Sequence, residues 1–254
     1  MKLFYKITLI LIIFLLSLNG VSASSALVEV DNDLVVDDLA VSEYESIGDQ
    51  VLRNLDSIAS NTDQFSFVTL NLCEDCLPGV EYHVATLGMQ YYSQKNLLWK
   101  NEIMLSCNET IGSVGCALTS FTMVLSKYIP GYDPNEVNDI LGANACPANW
   151  TAYGTTFGIT YKNLLGSASK ELGEVRSLLV GVLSQGRAPI IGLLKVVENG
   201  DDLTHFVVIS GYTAFSDGSW AFIIKDPIQS AKYPSLNSYI NDNYRVYRIK
   251  LYYA

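Results

Sequence analysis

Histidine and basic residues are scarce in this 254-residue chain, which has two histidines and 16 Lys and Arg against 26 Asp and Glu. Two histidines cannot build a histidine-based zinc site without cysteine ligands. The net charge of -10, with no basic patch, argues against a nucleic-acid partner, because binding phosphates requires clustered Lys and Arg. The sequence also lacks a phosphate-binding glycine loop and internal repeats, so we expect no metal and no cofactor.

The sequence has a single long hydrophobic run, which lies near the N-terminus. Two lysines precede the apolar run Ile7–Leu18, and small residues at 21–23 have the spacing of a signal-peptidase site after Ala23. The run is shorter than the roughly 20 residues that span a bilayer. We therefore expect residues 1–23 to be a signal peptide, with an uncleaved anchor as the alternative. The mature protein is then secreted or extracellular, or resides in a lysosomal or vacuolar lumen, without stable membrane insertion.

An acidic stretch follows the predicted signal peptide. Ten acidic residues between positions 24 and 63 are accompanied by a single base, Arg53. We expect much of 24–64 to be poorly ordered, although apolar residues at helical spacing predict a helix over Val41–Ala59. The stretch is either a pro-segment with an inhibitory role or a solvated extension. The folded domain is predicted to occupy 65–254.

Within this domain, the helical patterns come first and the strand patterns later. The predicted helices follow Cys116, begin at Asp133–Pro134 with a capping residue, and span Glu171–Gln185. The predicted strands are Pro189–Val197, His205–Phe215, Trp220–Lys225 and Tyr244–Tyr253. This order predicts an α+β fold, in which a helical part packs on an antiparallel sheet.

Five cysteines leave one thiol over after pairing. Small, turn-forming residues precede Cys116 and a helical pattern follows it, so its sulfur would lie at a helix N-terminus, which favours a thiolate. The alternative is a buried cysteine that packs as a small hydrophobe. The other four allow three pairings, of which we favour Cys107 with Cys146 and Cys73 with Cys76. The alternatives join each member of the Cys73/Cys76 pair to one of the other two.

Two residues of the predicted sheet suit a thiolate nucleophile. His205 opens one strand and Asp226 closes the next, and an antiparallel return brings both to the same end of the sheet. The imidazole would take the thiol proton, and the carboxylate would fix the tautomer and orientation of the ring. Each residue alone has an ordinary explanation, as a structural histidine or as an Asp-Pro turn. Their occurrence together with Cys116 favours a Cys/His/Asp arrangement.

Several motifs in the C-terminal two thirds resemble a known family. They are Met89–Gln94 with Trp99, Thr110–Ser120 with Met123–Leu125, Pro134–Leu141, Gly186–Leu193, His205–Val208 and Asp226–Pro227. Over roughly Gly88–Ala254 the chain is similar to the secreted stand-alone relatives of the double-glycine leader peptidases of bacteriocin transporters. The acidic N-terminal stretch lies outside this resemblance.

The resemblance implies a papain-like cysteine peptidase fold with the nucleophile at a helix start. It assigns nucleophilic attack to Cys116, the base and acid role to His205 and orientation of the imidazole to Asp226. It also implies a glutamine that helps to hold the oxyanion. Gln94 fills this role best, with Gln90 as a competitor. Both lie further upstream of the cysteine than the family's glutamine does.

These residues predict a secreted thiol-dependent hydrolase that cleaves peptide or amide bonds. Its substrate would be a peptide, a protein or a cell-wall cross-link. Two alternatives remain: a catalytically inactive peptide- or cell-wall-binding protein on the same fold, and a thiol acyl or peptidyl transferase. The intact Cys/His/Asp set favours the enzyme over the binder.

Overall fold

A computed structural model describes residues 36–60, 80–85, 88–166, 169–197, 202–215 and 217–254, with side chains omitted at 54–60 and 80–85. The predicted signal peptide, the predicted Cys73–Cys76 bridge and the predicted domain start at residue 65 lie outside the described residues. Among the helices that are described, none combines the length and the apolar character needed to cross a membrane.

Groups of helices and groups of strands are interleaved along the described chain. The helices are α1 Asp38–Ser60, α2 Ile111–Val114, α3 Cys116–Tyr128, α4 Pro134–Leu141, α5 Trp150–Phe157, α6 Arg176–Ser184 and α7 Leu236–Asn241. The strands are β1 Val80–Ala85, β2 Ile103–Met104, β3 Glu109–Thr110, β4 Thr160–Leu165, β5 Ile190–Lys195, β6 Leu203–Phe215, β7 Trp220–Lys225 and β8 Arg245–Tyr253.

The main sheet is antiparallel and is organised around the long strand β6. Strand β7 pairs along one edge of β6, while β5 and β1 follow each other along the other edge. At Val208 the register is fixed on both sides, by Ile190 of β5 and by Lys225 of β7. Strands β8 and β4 continue the sheet beyond β5, and β2 and β3 form a separate hairpin.

Helices cover both faces of this sheet because successive side chains of a strand point to opposite sides. Phe206 and Val208 face a core that includes the apolar side of α3. Val207 and Ile209 face the second core, which includes α6 and the buried residues of α1. This arrangement confirms the predicted α+β fold, with α3 packed on an antiparallel sheet.

Several predicted elements have the expected bounds. The helix after Cys116 ends at Tyr128, two residues before Pro130, and the sequence Trp220–Lys225 is a strand. Asp133 caps α4 as predicted, since its Oδ1 accepts hydrogen bonds from the backbone N–H groups of Asn135 and Glu136 at 2.9 Å. Local turn and capping signals therefore placed these elements correctly.

The third predicted helix and the predicted order of elements were wrong in part. Helix α6 begins at Arg176 and not at Glu171, because 171–175 forms turns in which N–H groups bond three residues back. The Glu174 carboxylate stabilises these turns by accepting from the Glu171 N–H at 3.0 Å. Strand β4 was missed, and it precedes α6, so helices and strands are interleaved. Its polar residues, such as the buried Asn163, interrupt the apolar pattern by which a strand is recognised in a sequence.

The helix predicted over Val41–Ala59 is present as α1 and packs along α6. The two helices cross closely at glycines. A Cβ atom on Gly48 would lie 1.7 Å from the Ser177 carbonyl oxygen, and one on Gly181 would lie 1.9 Å from the Tyr44 carbonyl oxygen. Tyr44 is buried in this contact, and Arg187 donates a hydrogen bond to its hydroxyl. This part of the acidic stretch is therefore integrated into the fold.

Candidate active site

Cys116 lies at the first residue of α3, where two glycines allow the chain to turn tightly. A Cβ atom on Gly115 would approach the Ile111 carbonyl oxygen to 2.4 Å, and one on Gly112 would approach the Lys100 carbonyl oxygen to 2.6 Å. Side chains are thus excluded at both positions. The Gly-x-x-Gly-Cys spacing places a partly buried cysteine at a helix start, and Cys116 is the free cysteine of the described chain.

Helix α3 is tied to the strand that carries the histidine. One turn after Cys116, the buried Ser120 hydroxyl donates a hydrogen bond of 3.1 Å to the Phe206 carbonyl oxygen. Phe206 follows His205 directly, so this bond fixes the start of α3 against that part of β6. The Cys116 side chain lies close enough to the His205 imidazole to contribute to raising its pKa.

His205 and Asp226 lie together at one end of the sheet, as their strand positions predicted. His205 Nε2 is 2.8 Å from Asp226 Oδ1, and each residue is 6% exposed. The same carboxylate oxygen accepts a hydrogen bond of 2.9 Å from the Ile228 N–H. Since Asp226 engages Nε2, the Nδ1 atom of His205 is the nitrogen left to face the thiol of Cys116.

The electrostatics of the pair favour a charged imidazole. Burial by itself lowers the pKa of His205, but hydrogen bonds and charge from Asp226 and Cys116 outweigh it and raise the pKa to about 9. Burial raises the pKa of Asp226, whereas the hydrogen bond and charge of His205 lower it below its ordinary value. The pair therefore holds an imidazolium against a carboxylate at neutral pH.

The two candidate glutamines occupy different places. The Gln94 backbone N–H donates to the Pro227 carbonyl oxygen at 2.9 Å, and its side-chain Nε2 donates to the Gly112 carbonyl oxygen at 3.1 Å. Gln94 is 1% exposed and so bridges the loop after Asp226 to the turn before Cys116. Gln90 is exposed.

The backbone N–H of Gln90 donates to the Ser126 hydroxyl at 2.8 Å. Ser126 lies about 15 Å along α3 from Cys116, at a rise of about 1.5 Å per residue. The structure thus brings Gln94, but not Gln90, to the turn that carries the cysteine.

Sequence reasoning missed two tyrosines at this site. The Tyr239 hydroxyl donates to Asp226 Oδ2 at 2.8 Å, and the Tyr91 hydroxyl donates to the Asp226 carbonyl oxygen at 2.9 Å. Tyr91 lies within the Met89–Gln94 motif, which was a usable signal. Tyr239 lies on the short helix α7, and its sequence carries no comparable signal.

The disulfide favoured from the sequence, Cys107 to Cys146, is present, with 5.6 Å between the Cα atoms. It ties the loop between β2 and β3 to the segment after α4. An additional hydrogen bond of 3.1 Å joins the Ser106 hydroxyl to the Ala143 carbonyl oxygen in the same place. Both contacts brace the loop that leads into α2 and Cys116.

An open pocket of about 460 Å³ adjoins Asp226, with Tyr91 and Tyr233 in its wall. Neither Cys116 nor His205 lines it, so we assign it no part in the chemistry. In the described part of the chain, His, Cys, Asp and Glu residues form no group of three suited to a metal ion.

A cysteine at the start of a helix, packed on an antiparallel sheet that carries a His–Asp pair, defines a papain-like fold. A family model described as "Peptidase_C39 like family" matches residues 86–250. The chain belongs to this family of cysteine peptidases, which confirms the resemblance seen in the sequence and implies peptide or protein substrates. No curated protein matches the chain.

Proposed function

We propose that the protein is an exported cysteine peptidase in which Cys116 is the nucleophile and His205 its acid and base. The observation that supports the proposal is the pair of interactions of His205: its Nε2 is 2.8 Å from Asp226 Oδ1, and the Cys116 side chain helps to raise the pKa of its imidazole. A nucleophile, a base and a group that orients the base are the parts that thiol catalysis requires.

The proposed reaction begins with the proton on His205 and the sulfur of Cys116 as a thiolate. The thiolate attacks the carbonyl carbon of the peptide bond, and a tetrahedral intermediate forms. His205 then donates its proton to the leaving amine as the C–N bond breaks, which leaves a thioester on Cys116. Water attacks the thioester while His205 takes its proton, and the acid product leaves as the thiolate is restored.

The negative oxygen of the tetrahedral intermediate requires donors that are already in position. The Cys116 backbone N–H is one candidate, because the first N–H groups of a helix have no intrahelical partner. The Gln94 side chain is the other. Its amide nitrogen carries two hydrogens and uses one for Gly112, which leaves the second for the oxyanion.

The Cys107–Cys146 disulfide supports export, since such bonds persist in oxidising compartments. This agrees with the proposal that residues 1–23 direct secretion. We propose peptide, isopeptide or cell-wall cross-link bonds as the bonds cleaved, because all three present an amide carbonyl to the thiolate.

The test is alkylation of the native protein with iodoacetamide, followed by intact-mass analysis and mapping of the labelled residue. We expect a single fast-reacting thiol at Cys116, no fast label in Cys116→Ser, and slower labelling in His205→Ala. Fast labelling spread over other cysteines, or an unreactive Cys116, would contradict the proposal.

A protein that labels as expected but never forms a thioester with an activated ester would be a binding protein. Transfer of the acyl group to added amines in preference to water would make it a transferase. Incubation with p-nitrophenyl acetate, with and without an amine acceptor, separates both outcomes from hydrolysis.

A further inference from the structure

The second oxygen of the Asp226 carboxylate has its own donor. Oδ1 serves His205 and the Ile228 N–H, while Oδ2 accepts the hydrogen bond of 2.8 Å from the Tyr239 hydroxyl. Tyr239 is 3% exposed, so this bond lies out of water. A carboxylate with a directed donor on each oxygen is fixed in both position and plane.

The ring of Tyr239 is held by packing that does not depend on its hydroxyl. It stacks on Tyr233 with centroids 3.9 Å apart and meets the edge of Tyr244 at 5.1 Å. Asn237 anchors helix α7 to the outer edge of β7, since its side chain accepts from the Phe222 N–H and donates to the Trp220 carbonyl oxygen, each at 3.0 Å. Helix α7 thus presents the hydroxyl to Asp226 from a rigid support.

We propose that Tyr239 is a positioning residue for the reaction, because its hydroxyl donates to Asp226 Oδ2 and so orients the carboxylate towards His205. The inference rests on the proposed function for its effect on Cys116. The hold of Tyr239 on Asp226 can be measured independently of that function.

The physical reason is the preference of a donated hydrogen bond for the charged form of its acceptor. Burial raises the pKa of Asp226, and His205, the Ile228 N–H and the Tyr239 hydroxyl together lower it. Burial and the neighbouring Asp226 charge raise the pKa of Tyr239, so the phenol keeps its proton and remains a donor across the working range. The titratable groups that face Tyr239 in the described structure are Asp226, His205, Tyr233 and Tyr244.

The first variant is Tyr239→Phe, which removes the hydroxyl and keeps the ring. A hydrogen bond to a charged group is worth about 1.5 kcal/mol or more, which corresponds to about one pH unit. We expect the acid limb of the pH profile for Cys116 alkylation to move up by about one unit. That limb belongs to the coupled groups and not to one residue. A change confined to the melting temperature, with the limb unmoved, overturns the proposal.

The matched control is Tyr233→Phe, which removes a hydroxyl from the same ring stack. That hydroxyl donates to Asp242 Oδ2 at 2.5 Å and not to Asp226. The acid limb should stay where it is in the unmodified protein. An equal movement in both variants would mean that the ring stack as a whole sets the profile, and the role of Tyr239 would be refuted.

A second substitution keeps the test decidable if Tyr239→Phe does not fold. Replacing Tyr239 with 3-fluorotyrosine retains the hydroxyl and makes the phenol more acidic, so its bond to Asp226 becomes stronger. The acid limb should then move in the opposite direction, to lower pH. Movement to higher pH, or none, contradicts the inference.

The NMR titration of the His205 ring separates this inference from the proposed function. The chain has two histidines, so one substitution at His83 assigns the signals. The His205 signal senses the protonation of Asp226, and Tyr239→Phe should raise the pH of that inflection by about one unit. If Cys116 never reacts but the inflection moves, the proposed function fails and the link between Tyr239 and Asp226 stands. If Cys116 reacts and the inflection does not move, only the link fails.

Discussion

Replacing Asp226 with Asn tests the charge of the His205–Asp226 pair most directly. The two side chains have nearly the same shape, and the amide oxygen of Asn can still accept a hydrogen bond from Nε2. The substitution therefore removes the negative charge and keeps the contact with His205, while the amide nitrogen takes the position of Oδ2 and can no longer accept from the Tyr239 hydroxyl. Without that charge, the Cys116 side chain alone opposes the effect of burial, so the pKa of His205 falls.

The structure gives the size of the effect. The pKa of His205 is raised from the ordinary value of 6.5 to about 9, which corresponds to about 3 kcal/mol of folding free energy. Because this folded pKa is raised, the contribution is fully present below pH 6.5 and is lost as the pH rises through about 9. The unmodified protein should lose stability over this window relative to Asp226→Asn, by up to about 3 kcal/mol, since Cys116 supplies part of the effect in both proteins.

The assay is urea denaturation at a series of pH values for both proteins, since other groups that titrate in the same window cancel in the difference. The control is Asp217→Asn, which removes the same charge from an exposed residue of the β6–β7 turn. Hydrogen bonds from Ser219 lower the pKa of Asp217, so the effect of its loss is confined to acid pH. Parallel stability curves for Asp226→Asn and the unmodified protein would refute the assigned ion pair.

Three further outcomes follow from close contacts. Gly115→Ala should lower the alkylation rate of Cys116 and the melting temperature together, because the new Cβ meets the Ile111 carbonyl oxygen at 2.4 Å. Gln94→Ala should slow acylation by p-nitrophenyl acetate by about 100-fold and leave iodoacetamide labelling unchanged, while Gln90→Ala should change neither; equal effects of the two would remove the oxyanion role. Gly48→Ala should separate α1 from α6 and so lower the melting temperature, while the labelling rate of Cys116 does not increase. Faster labelling would indicate that this segment is inhibitory.

The positions of Cys116, His205 and Asp226 in the fold could be predicted because their sequence signals are local. Small residues before Cys116 and helical periodicity after it are enough to predict a helix start. The strand that carries His205 and the strand that Asp226 follows are rich in β-branched and aromatic residues and are separated by a turn. In an antiparallel pair, the start of the first strand lies beside the end of the second. The close approach of His205 and Asp226 therefore followed without knowledge of the rest of the fold.

The remaining features depend on how distant segments pack. The sequence left Gln90 as a competitor of Gln94, and contacts of the folded chain separate the two, since Gln94 bonds to Gly112 and Gln90 to Ser126. The Tyr239 contact requires α7 to lie against the edge of β7, which the Asn237 side chain brings about in the folded state. Strand β4 escaped prediction because polar residues, including Lys162 and Asn163, interrupt its apolar pattern, although Asn163 is buried and bonds to Lys250.

The position of α1 bears on the role of the acidic N-terminal stretch. Helix α1 precedes the region that matches the family, yet Ala40 and Tyr44 are buried in the core on the α6 side of the sheet. Helix α3 and its Cys116 pack on the other face. A segment on the α6 side stabilises the sheet that positions His205. The sheet lies between this segment and the thiol of Cys116, so the segment affects the thiol indirectly. We therefore expect residues 38–60 to influence Cys116 through the stability of the fold and not by covering the nucleophile.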